Sequence, residues 1–206
     1  MDNQFFIDKF EEEICRYTGA KYCVLTDSCT NAIFLALKHL QKTAYIPLEA
    51  NTLYIPKNTY VGVPNSIINA GFNLEFIDMK WKGSYEIEGT NIMDCAVDFH
   101  RGMYRSGFIQ CLSFQQKKRL NIGKGGAILL DDADTYERLK MMSFDGRSSI
   151  IKMEDWVQGF HMNMTPEMAA QGLLILNQID LRPDNAGSYR DYKDLSVIKY
   201  FKENNE

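Results

Sequence analysis

A lysine between an apolar run and a glycine-rich turn carries the most suggestive chemistry in this sequence. Residues 111–130 read CLSFQQKKRLNIGKGGAILL, with Lys118 between Lys117 and Arg119. Such a run is ordinarily part of a solvated basic surface. A lysine buried near other cationic groups loses its proton more easily, however, and the neutral amine is the form that makes Schiff bases. Lys118 is therefore a candidate imine-forming amine, with the solvated surface residue as the alternative.

The glycines that follow this lysine do not predict a nucleotide-binding P-loop. The sequence GKGG at 123–126 lacks the GxxxxGK[ST] spacing and the hydroxyl residue after its lysine. Gly123, Gly125 and Gly126 are better explained by a tight turn before the apolar run AILL, where the backbone can pass close to a ligand.

Polar side chains that follow other short apolar runs are further candidates. Ser28, Cys29 and Thr30 lie between an apolar strand and a helix, where free N–H groups and two hydroxyls can hold a phosphate. The alternative for Ser28 is an ordinary helix N-cap. Asp94 ends the run NIM and can pair with a protonated ring nitrogen or simply form a turn. Tyr60 can stack on a planar cofactor or pack against the protein itself.

Composition bounds the class of protein. The 206 residues are 45% hydrophobic, which suffices for one sizeable core, and the net charge is -4 with no basic run at either end. We therefore expect neither a nucleic-acid partner nor an anionic membrane surface. Five cysteines without a CxxC spacing favour reduced thiols and a cytoplasmic location, and three scattered histidines argue against a metal site. No stretch approaches the roughly 18 apolar residues of a membrane span.

Strand-like and helix-like segments alternate along the chain. This order predicts an α/β fold with a mainly parallel sheet and helices on both faces, and ligands of such sheets gather at the carboxyl ends of the strands. Polar residues 80–90 are expected to form a loop. The predicted strands are 22–25, 53–55, 74–77, 91–93, 108–114 and 127–130, and the predicted helices are an amino-terminal helix, 31–40, 61–70, 132–142, 165–178 and 188–202.

Five segments, in order, resemble the signature segments of the DegT/DnrJ/StrS family of sugar aminotransferases. They are TDSCTNAI, PKNTYVGVPNSI, MDCAV, SFQQKKRLNIGKGG and GFHMNMTPEMAAQGLLILNQ, and together they extend over most of the chain. The resemblance implies a pyridoxal 5'-phosphate (PLP) enzyme with the fold-type I aspartate aminotransferase architecture.

The resemblance also implies a role for each matching residue. Lys118 corresponds to the lysine that forms the internal aldimine, and Asp94 to the acid that bonds to the pyridine nitrogen. Tyr60 corresponds to the aromatic residue that stacks on the ring. The phosphate-binding positions are Ser28, Cys29, Thr30 and Ser113, with Asn163 reaching the phosphate of the neighbouring subunit. This last match implies a homodimer with shared active sites.

The sequence departs from the family pattern in several places. Val97 stands where the family usually has Gln or His near the cofactor's phenolic oxygen, and Lys124 replaces the acid of the glycine turn. The segment between Phe76 and Asp94 is short for the crossover that the family carries there. We expect a reduced large domain over residues 1–180, followed at 181–206 by a helical tail in place of a small domain.

Two functions follow from the resemblance. The first is transfer of an amino group from an amino acid, with glutamate expected as the donor, to a keto-sugar attached to a nucleotide. The second is a non-catalytic PLP-binding module or partner subunit of a sugar-modification enzyme. The family also contains dehydratases in which histidine replaces the lysine, and the presence of Lys118 argues against that class.

Overall fold

The computed structural model describes residues 3–43, 51–183 and 186–203. Within these ranges the predicted alternation of helices and strands holds only up to residue 77, because four further strands follow without an intervening α-helix and the remaining α-helices come after them. The strands are β1 (Tyr22–Thr26), β2 (Thr52–Pro56), β3 (Asn73–Ile77), β4 (Tyr85–Glu86), β5 (Ile92–Asp94), β6 (Ile109–Ser113) and β7 (Gly126–Leu130). The α-helices are α1 (Asn3–Thr18), α2 (Cys29–Thr43), α3 (Gly62–Ala70), α4 (Ala133–Ser143), α5 (Pro166–Leu176) and α6 (Lys199–Glu203).

The main sheet is mixed, and the prediction of a mainly parallel sheet is wrong. Its five strands lie in the order β1-β7-β6-β5-β4, whereas β2 and β3 pair in parallel as a separate two-stranded sheet. Strand β7 is antiparallel to both of its neighbours, β5 is parallel to β6, and β4 is antiparallel to β5. Short strands that are buried on both faces have the same apolar pattern in either direction, so the sequence alone does not reveal this arrangement.

Three strands of the sheet nevertheless point the same way. Strand β1 is antiparallel to β7, which is antiparallel to β6, so β1 runs in the direction of β6 and of its parallel neighbour β5. Their carboxyl ends therefore meet at one edge of the sheet, where the amino end of β7 also lies. The expectation that ligand-binding residues gather at this edge does not depend on the direction of β7.

Helices cover both faces of the main sheet, as predicted. Alternate residues of the central strands face opposite sides: Val24 and Ile128 belong to the core that includes α2 and α3, whereas Leu25 and Leu129 belong to the core that includes α1 and α5. Gly172 lets α5 approach α1 closely, because a Cβ atom there would lie 2.3 Å from the Phe10 ring. The result is a three-layer arrangement with the sheet in the middle.

Local signals set several helix boundaries. The Thr165 and Asp132 side chains accept hydrogen bonds from first-turn amides of α5 and α4, respectively, as N-caps do. Helix α3 ends at Gly71, which adopts a left-handed conformation with φ of 92°. These helices, together with α1 and α2, confirm the predicted ones.

Two predictions about the chain beyond the core need correction. Residues 188–202 do not form one helix: a 3₁₀ turn covers Tyr189–Asp191, and α6 begins only at Lys199. Tyr189, Asp191 and Tyr192 instead run along the protein surface, where backbone hydrogen bonds tie this segment to earlier loops. The expected loop at 80–90 contains β4, because Tyr85 and Glu86 pair with the end of β5.

The remaining expectations concern cysteines and membrane helices. All five cysteines are unpaired, and four of them are buried. In the described ranges, none of the helices has the length and apolar character that crossing a membrane requires.

Candidate functional site

The predicted site residues converge on one cavity of about 550 Å³ at the carboxyl ends of β1, β5 and β6. The lining of this cavity includes every predicted site residue except Asn163. These residues lie at or just after the carboxyl ends of the three strands, or in the loop before α3. The residues brought together are Ser28, Cys29, Thr30, Tyr60, Asp94, Ser113 and Lys118. Asn163 does not line this cavity.

The basic run around Lys118 separates into three environments. Lys117 and Lys118 both line the cavity, but Lys117 is exposed whereas Lys118 is half-buried. Arg119 turns to the other side and donates to the carbonyl oxygen of Phe99 at 3.0 Å. The solvated-surface alternative therefore does not describe Lys118.

Burial changes the acid–base character of the Lys118 amine. Desolvation lowers the pKa of Lys118 below the ordinary lysine value, and the nearby charge of Asp94 opposes this shift without cancelling it. The backbone N–H of Lys118 donates to Gln115 at 2.8 Å, which holds the start of the side chain in a tight turn after β6. A half-buried amine with a lowered pKa supplies more of the neutral, nucleophilic form near neutral pH.

Asp94 is a buried acid with neutral hydrogen-bond donors. It is 5% exposed, and its carboxylate accepts from the Tyr85 hydroxyl at 2.8 Å and from the Ala96 N–H at 2.9 Å. Desolvation raises the pKa of Asp94, although both hydrogen bonds and the charge of Lys118 act in the opposite direction. The acid therefore lies where a positively charged hydrogen-bond donor from a ligand would relieve the cost of burying its charge.

Tyr85 is a site residue that sequence reasoning missed. It lies directly opposite Asp94 across the antiparallel β4–β5 pair, and its hydroxyl also contacts the Thr59 hydroxyl. Burial and the neighbouring carboxylate raise the pKa of Tyr85, so it stays protonated and continues to donate. The alternation of polar and apolar residues around Tyr85 indicates a strand, but it does not identify the strand with which Tyr85 pairs.

Ser28, Cys29 and Thr30 form the start of α2. The Ser28 hydroxyl accepts from the backbone N–H of Asn31 at 3.2 Å, as the N-cap alternative predicts, and it contacts a carboxylate oxygen of Asp27 at 3.0 Å. Cys29 is buried, and desolvation raises the pKa of its thiol well above the ordinary value. A capped helix start that opens into a cavity remains compatible with binding an anion.

Two glycines allow the backbone to pack tightly around this helix start. A Cβ atom on Gly126 would lie 2.6 Å from the backbone nitrogen of Cys29, and one on Gly62 would lie 2.5 Å from the Thr30 hydroxyl oxygen. Any side chain at either position would displace the lining of the cavity. The close approach at Gly126 is to the protein's own backbone, and the approach of this turn to a ligand stays a prediction.

An aromatic cluster and the segment 186–195 form the side of the cavity beyond Asp94. The Trp81 ring packs on Tyr85 and on Tyr192, with ring centroids 5.0 Å and 5.6 Å apart, respectively. Tyr192 lines the cavity, and burial together with the charge of Asp94 raises its pKa to about 12. Tyr60, at the opening, is 56% exposed, so its ring face is available to a ligand.

Hydrogen bonds to backbone carbonyls hold this segment, residues 186–195, across the cavity. The Asn58 side-chain amide donates to the Tyr192 carbonyl at 3.1 Å, and the Leu195 N–H donates to the Lys57 carbonyl at 2.8 Å. Gly187 packs against Val97, the position where the family pattern has a polar residue. Sequence reasoning did not assign any of the cavity-lining residues Val97, Lys124, Gly187, Asp191 and Tyr192 as a ligand-binding residue.

Asn163 lies beside the β1–α2 loop but opens onto a different surface. It forms a bridge with Thr26 and lines a second cavity of about 430 Å³. Its side-chain oxygen is buried, and no hydrogen-bond partner for it is found within the described ranges. The same cavity is lined by Phe144 and Ile150, whose side chains are exposed.

A metal centre has no counterpart in the described ranges. No group of three or more His, Cys, Asp or Glu side chains there is arranged to hold a metal ion.

The chain is similar in sequence to curated proteins whose names refer to sugar-nucleotide or polysaccharide biosynthesis. It is 26% identical to GDP-perosamine synthase of Escherichia coli O157:H7, with 85% of this chain and 58% of the relative covered. It is 25% identical to the spore coat polysaccharide biosynthesis protein SpsC of Bacillus subtilis, with 89% of this chain and 60% of the relative covered. The chain thus spans less than two thirds of the length of these relatives.

Solved structures show the same fold. AtS13 from Actinomadura melliaura matches with a TM-score of 0.73 at 20% identity, covering 85% of this chain and 60% of that structure. PseC of Helicobacter pylori, an aminotransferase involved in pseudaminic acid biosynthesis, matches with a TM-score of 0.69 at 15% identity, covering 85% and 58%. The family model for DegT/DnrJ/EryC1/StrS aminotransferases matches residues 3–94 and 101–189. The chain therefore belongs to the DegT/DnrJ/EryC1/StrS aminotransferase family.

Proposed function

We propose that this protein is a PLP-dependent transaminase. The observation that carries the proposal is the position of the Lys118 amine, which shares one cavity with the Asp94 carboxylate and the start of α2. An amine, a buried acid and an anion-binding helix start are the three groups that an aldehyde cofactor with a ring nitrogen and a phosphate requires. Membership of the family supports the same cofactor.

The residues of the cavity fit this cofactor chemically. Asp94 would pair with the protonated ring nitrogen, and the raised pKa of the buried carboxyl makes a cationic partner favourable. Ser28, Cys29, Thr30 and Ser113 would hold the phosphate, while the exposed ring of Tyr60 would stack on the pyridine ring.

Lys118 carries the proton chemistry in this proposal. PLP, when bound, supplies an electron sink for the bond that is broken. The Lys118 nitrogen, with its pKa lowered by burial, would hold the cofactor through its aldehyde carbon with loss of water, and would act as the base for the α-proton of the amino-acid donor once the donor amine has displaced it. Tyr192, which lines the cavity and packs on Trp81, would keep water away from one side of the cavity during this transfer.

The substrates proposed are an amino acid, with glutamate as the donor, and a keto-sugar attached to a nucleotide. The names of the relatives support the acceptor class, because they include a GDP-sugar synthase and a UDP-sugar transaminase of Campylobacter jejuni. The chain covers less than two thirds of the length of these relatives. Its complete activity is therefore part of the proposal. We also propose the cytoplasm as its compartment, since all five thiols are unpaired.

A homodimer with shared active sites completes the proposal. The side-chain oxygen of Asn163 is a buried acceptor without a donor in the described ranges, which supports a partner chain that supplies one, whereas the side-chain N–H group of Asn163 is the part that can donate to a phosphate. The cavity that Asn163 lines is also lined by Ile150, whose side chain is 87% exposed. In this arrangement Asn163 reaches the phosphate of the partner subunit, and residues 181–206 form a tail beside a large domain at 1–180.

Absorbance spectroscopy tests the proposal directly. Purified protein mixed with PLP should show a band at roughly 400 nm, which glutamate should replace with the band of the aminated cofactor. Lys118→Ala should abolish the first band, whereas the matched variant Lys117→Ala should retain it. A band that no amino donor changes would exclude transamination and leave a non-catalytic PLP-binding module or partner subunit.

Light scattering tests the assembly. The wild-type protein is expected to have twice the mass of the chain in solution. If Asn163→Ala binds PLP as tightly as the wild-type protein does, the shared-site part of the proposal is wrong.

A further inference from the structure

An ion pair lies beside the start of α2 and is not explained by the residues that the family resemblance identifies. The Lys124 ammonium group is 3.4 Å from one carboxylate oxygen of Asp27. The other oxygen of Asp27 contacts the Ser28 hydroxyl at 3.0 Å and the Asn31 side-chain amide at 2.6 Å. Asp27 is thus fixed on the protein side, whereas the Lys124 side chain is 68% exposed and lines the cavity.

The backbone holds Lys124 at this position. Gly125 forms a bridge with Ser28, and a Cβ atom on Gly125 would lie 2.9 Å from Met164. Gly126 packs on the backbone of Ser28 and Cys29, as described above. Because this turn cannot move away from the start of α2, the long side chain of Lys124 remains within reach of any group bound there.

The charge of Asp27 is unfavourable for an anion at the start of α2. A bound phosphate would lie near the Ser28 hydroxyl, whose neighbour is the Asp27 carboxylate. Two anionic groups at this separation repel each other unless a cation lies between them. Lys124 is a suitable cation, since an ammonium group has three donor hydrogens and can bond to Asp27 and to a second anion at the same time.

The ion pair itself explains little about stability. An ion pair with an exposed lysine contributes little to the free energy of unfolding. Stabilisation of the fold therefore does not account for a cation at this position. A charge-assisted hydrogen bond to a phosphate inside the cavity is stronger than the exposed pair. The replacement of an acid by Lys124 in the glycine turn thus reverses the charge beside the anion site.

We propose that Lys124 is a phosphate-binding residue of this cavity, bridging Asp27 and a phosphate monoester held at the start of α2. The inference rests on the proposed function for the identity of the phosphate, which is that of the PLP cofactor. It adds a residue of this chain, placed by the glycine turn, to the phosphate contacts that the resemblance implies.

Binding of pyridoxine 5'-phosphate to the cofactor-free protein tests the inference by calorimetry. This probe has the phosphate but no aldehyde, so its affinity does not depend on a bond to Lys118. Lys124→Ala should weaken binding by roughly 10-fold to 100-fold, the effect of losing one charge-assisted hydrogen bond, and Lys124→Arg should restore most of it. The control Lys193→Ala removes the same charge from an exposed position beside Tyr192 and should change the affinity by less than about 2-fold.

Two comparisons separate a direct contact from neutralisation of Asp27. Pyridoxine without the phosphate should bind equally to the wild-type and Lys124→Ala proteins. The double variant Asp27→Asn/Lys124→Ala should bind the phosphate probe more weakly than Asp27→Asn alone, because the contact is lost even when Asp27 is neutral.

Several results would overturn the inference. One is equal affinity of Lys124→Ala and Lys193→Ala for the phosphate probe, and another is an equal loss of affinity of Lys124→Ala for both probes. The others are equal affinity of the double variant and Asp27→Asn for the phosphate probe, or no binding of this probe to the wild-type protein at millimolar concentration. Unchanged urea midpoints would show that the variants are folded. If the phosphate probe depends on Lys124 but PLP gives no band at roughly 400 nm, the transaminase proposal fails and this inference stands.

Discussion

Replacing Tyr85 with phenylalanine should destabilise the protein in a pH-dependent way. The change removes the hydroxyl that donates to the buried Asp94 carboxylate at 2.8 Å and also contacts Thr59. A hydrogen bond to a charged, buried acceptor contributes about 1.5–3 kcal/mol. We therefore expect Tyr85→Phe to lower the free energy of unfolding of the cofactor-free protein by about 2–3 kcal/mol near neutral pH.

The sign of the pH dependence follows from Asp94. Burial raises the pKa of Asp94 in the folded protein, so the folded state loses stability as pH rises through that pKa. The Tyr85 hydroxyl offsets part of this loss by stabilising the carboxylate. Without the Tyr85 hydroxyl the loss of stability becomes larger. The difference in free energy of unfolding between the wild-type protein and Tyr85→Phe should therefore grow with rising pH and shrink as Asp94 becomes protonated.

Urea unfolding at about pH 7.5 and about pH 5 measures this difference. With a slope of about 2 kcal/mol per molar urea, the midpoint of Tyr85→Phe should fall by about 1 M at the higher pH. Thr18→Val is a suitable control, since the buried Thr18 hydroxyl donates at 2.8 Å to a neutral acceptor, the Ile14 carbonyl, and its loss should cost about 1 kcal/mol. Equal losses for the two variants at the higher pH, or a Tyr85 effect independent of pH, would refute the reasoning.

Two further predictions concern the glycine turn and the lysine run. Gly126→Ala should lower the free energy of unfolding by more than about 3 kcal/mol, because its Cβ would lie 2.6 Å from two backbone atoms of the β1–α2 loop. Gly123→Ala, which has open space but a φ of 85°, should cost only about 1–2 kcal/mol in the same urea titration, and the reverse order would contradict the packing argument. Burial lowers the pKa of Lys118, so brief amine labelling followed by mass spectrometry should give Lys118 a midpoint below the ordinary lysine value. A midpoint for Lys118 equal to that of free lysine would show that the cavity does not desolvate its amine.

The sequence predicted those parts of the site that depend on local patterns. Ser28 and Asp94 each follow a short apolar run, and Lys118 lies just beyond another, so each falls near the carboxyl end of a strand. This placement holds because β1, β5 and β6 run in the same direction. The family resemblance assigns the amine role to Lys118 and not to Lys117, and of these two cavity-lining lysines Lys118 is the half-buried one.

The features that the sequence did not reveal depend on contacts between distant segments. The direction of β7 is set by its partners β1 and β6, and an apolar run reads the same either way. The role of Tyr85 depends on its position opposite Asp94. Residues near Tyr192 predict a helix by their apolar spacing, but their backbone groups bond to the loops around Asn58 and Trp81 instead.

The hydrogen bond between Asn58 and Tyr192 joins residues 134 positions apart in the chain. Closing so long a connection costs configurational entropy, and few core residues come from the segment 186–195 to offset it. We therefore expect assembly of the sheet with its helices and completion of the cavity wall to be separable steps, because the wall can open locally while the sheet stays folded. A ligand that contacts Tyr192 stabilises the second step without altering the first, so saturating ligand should slow amide hydrogen exchange in residues 186–195 much more than in β6 or β7.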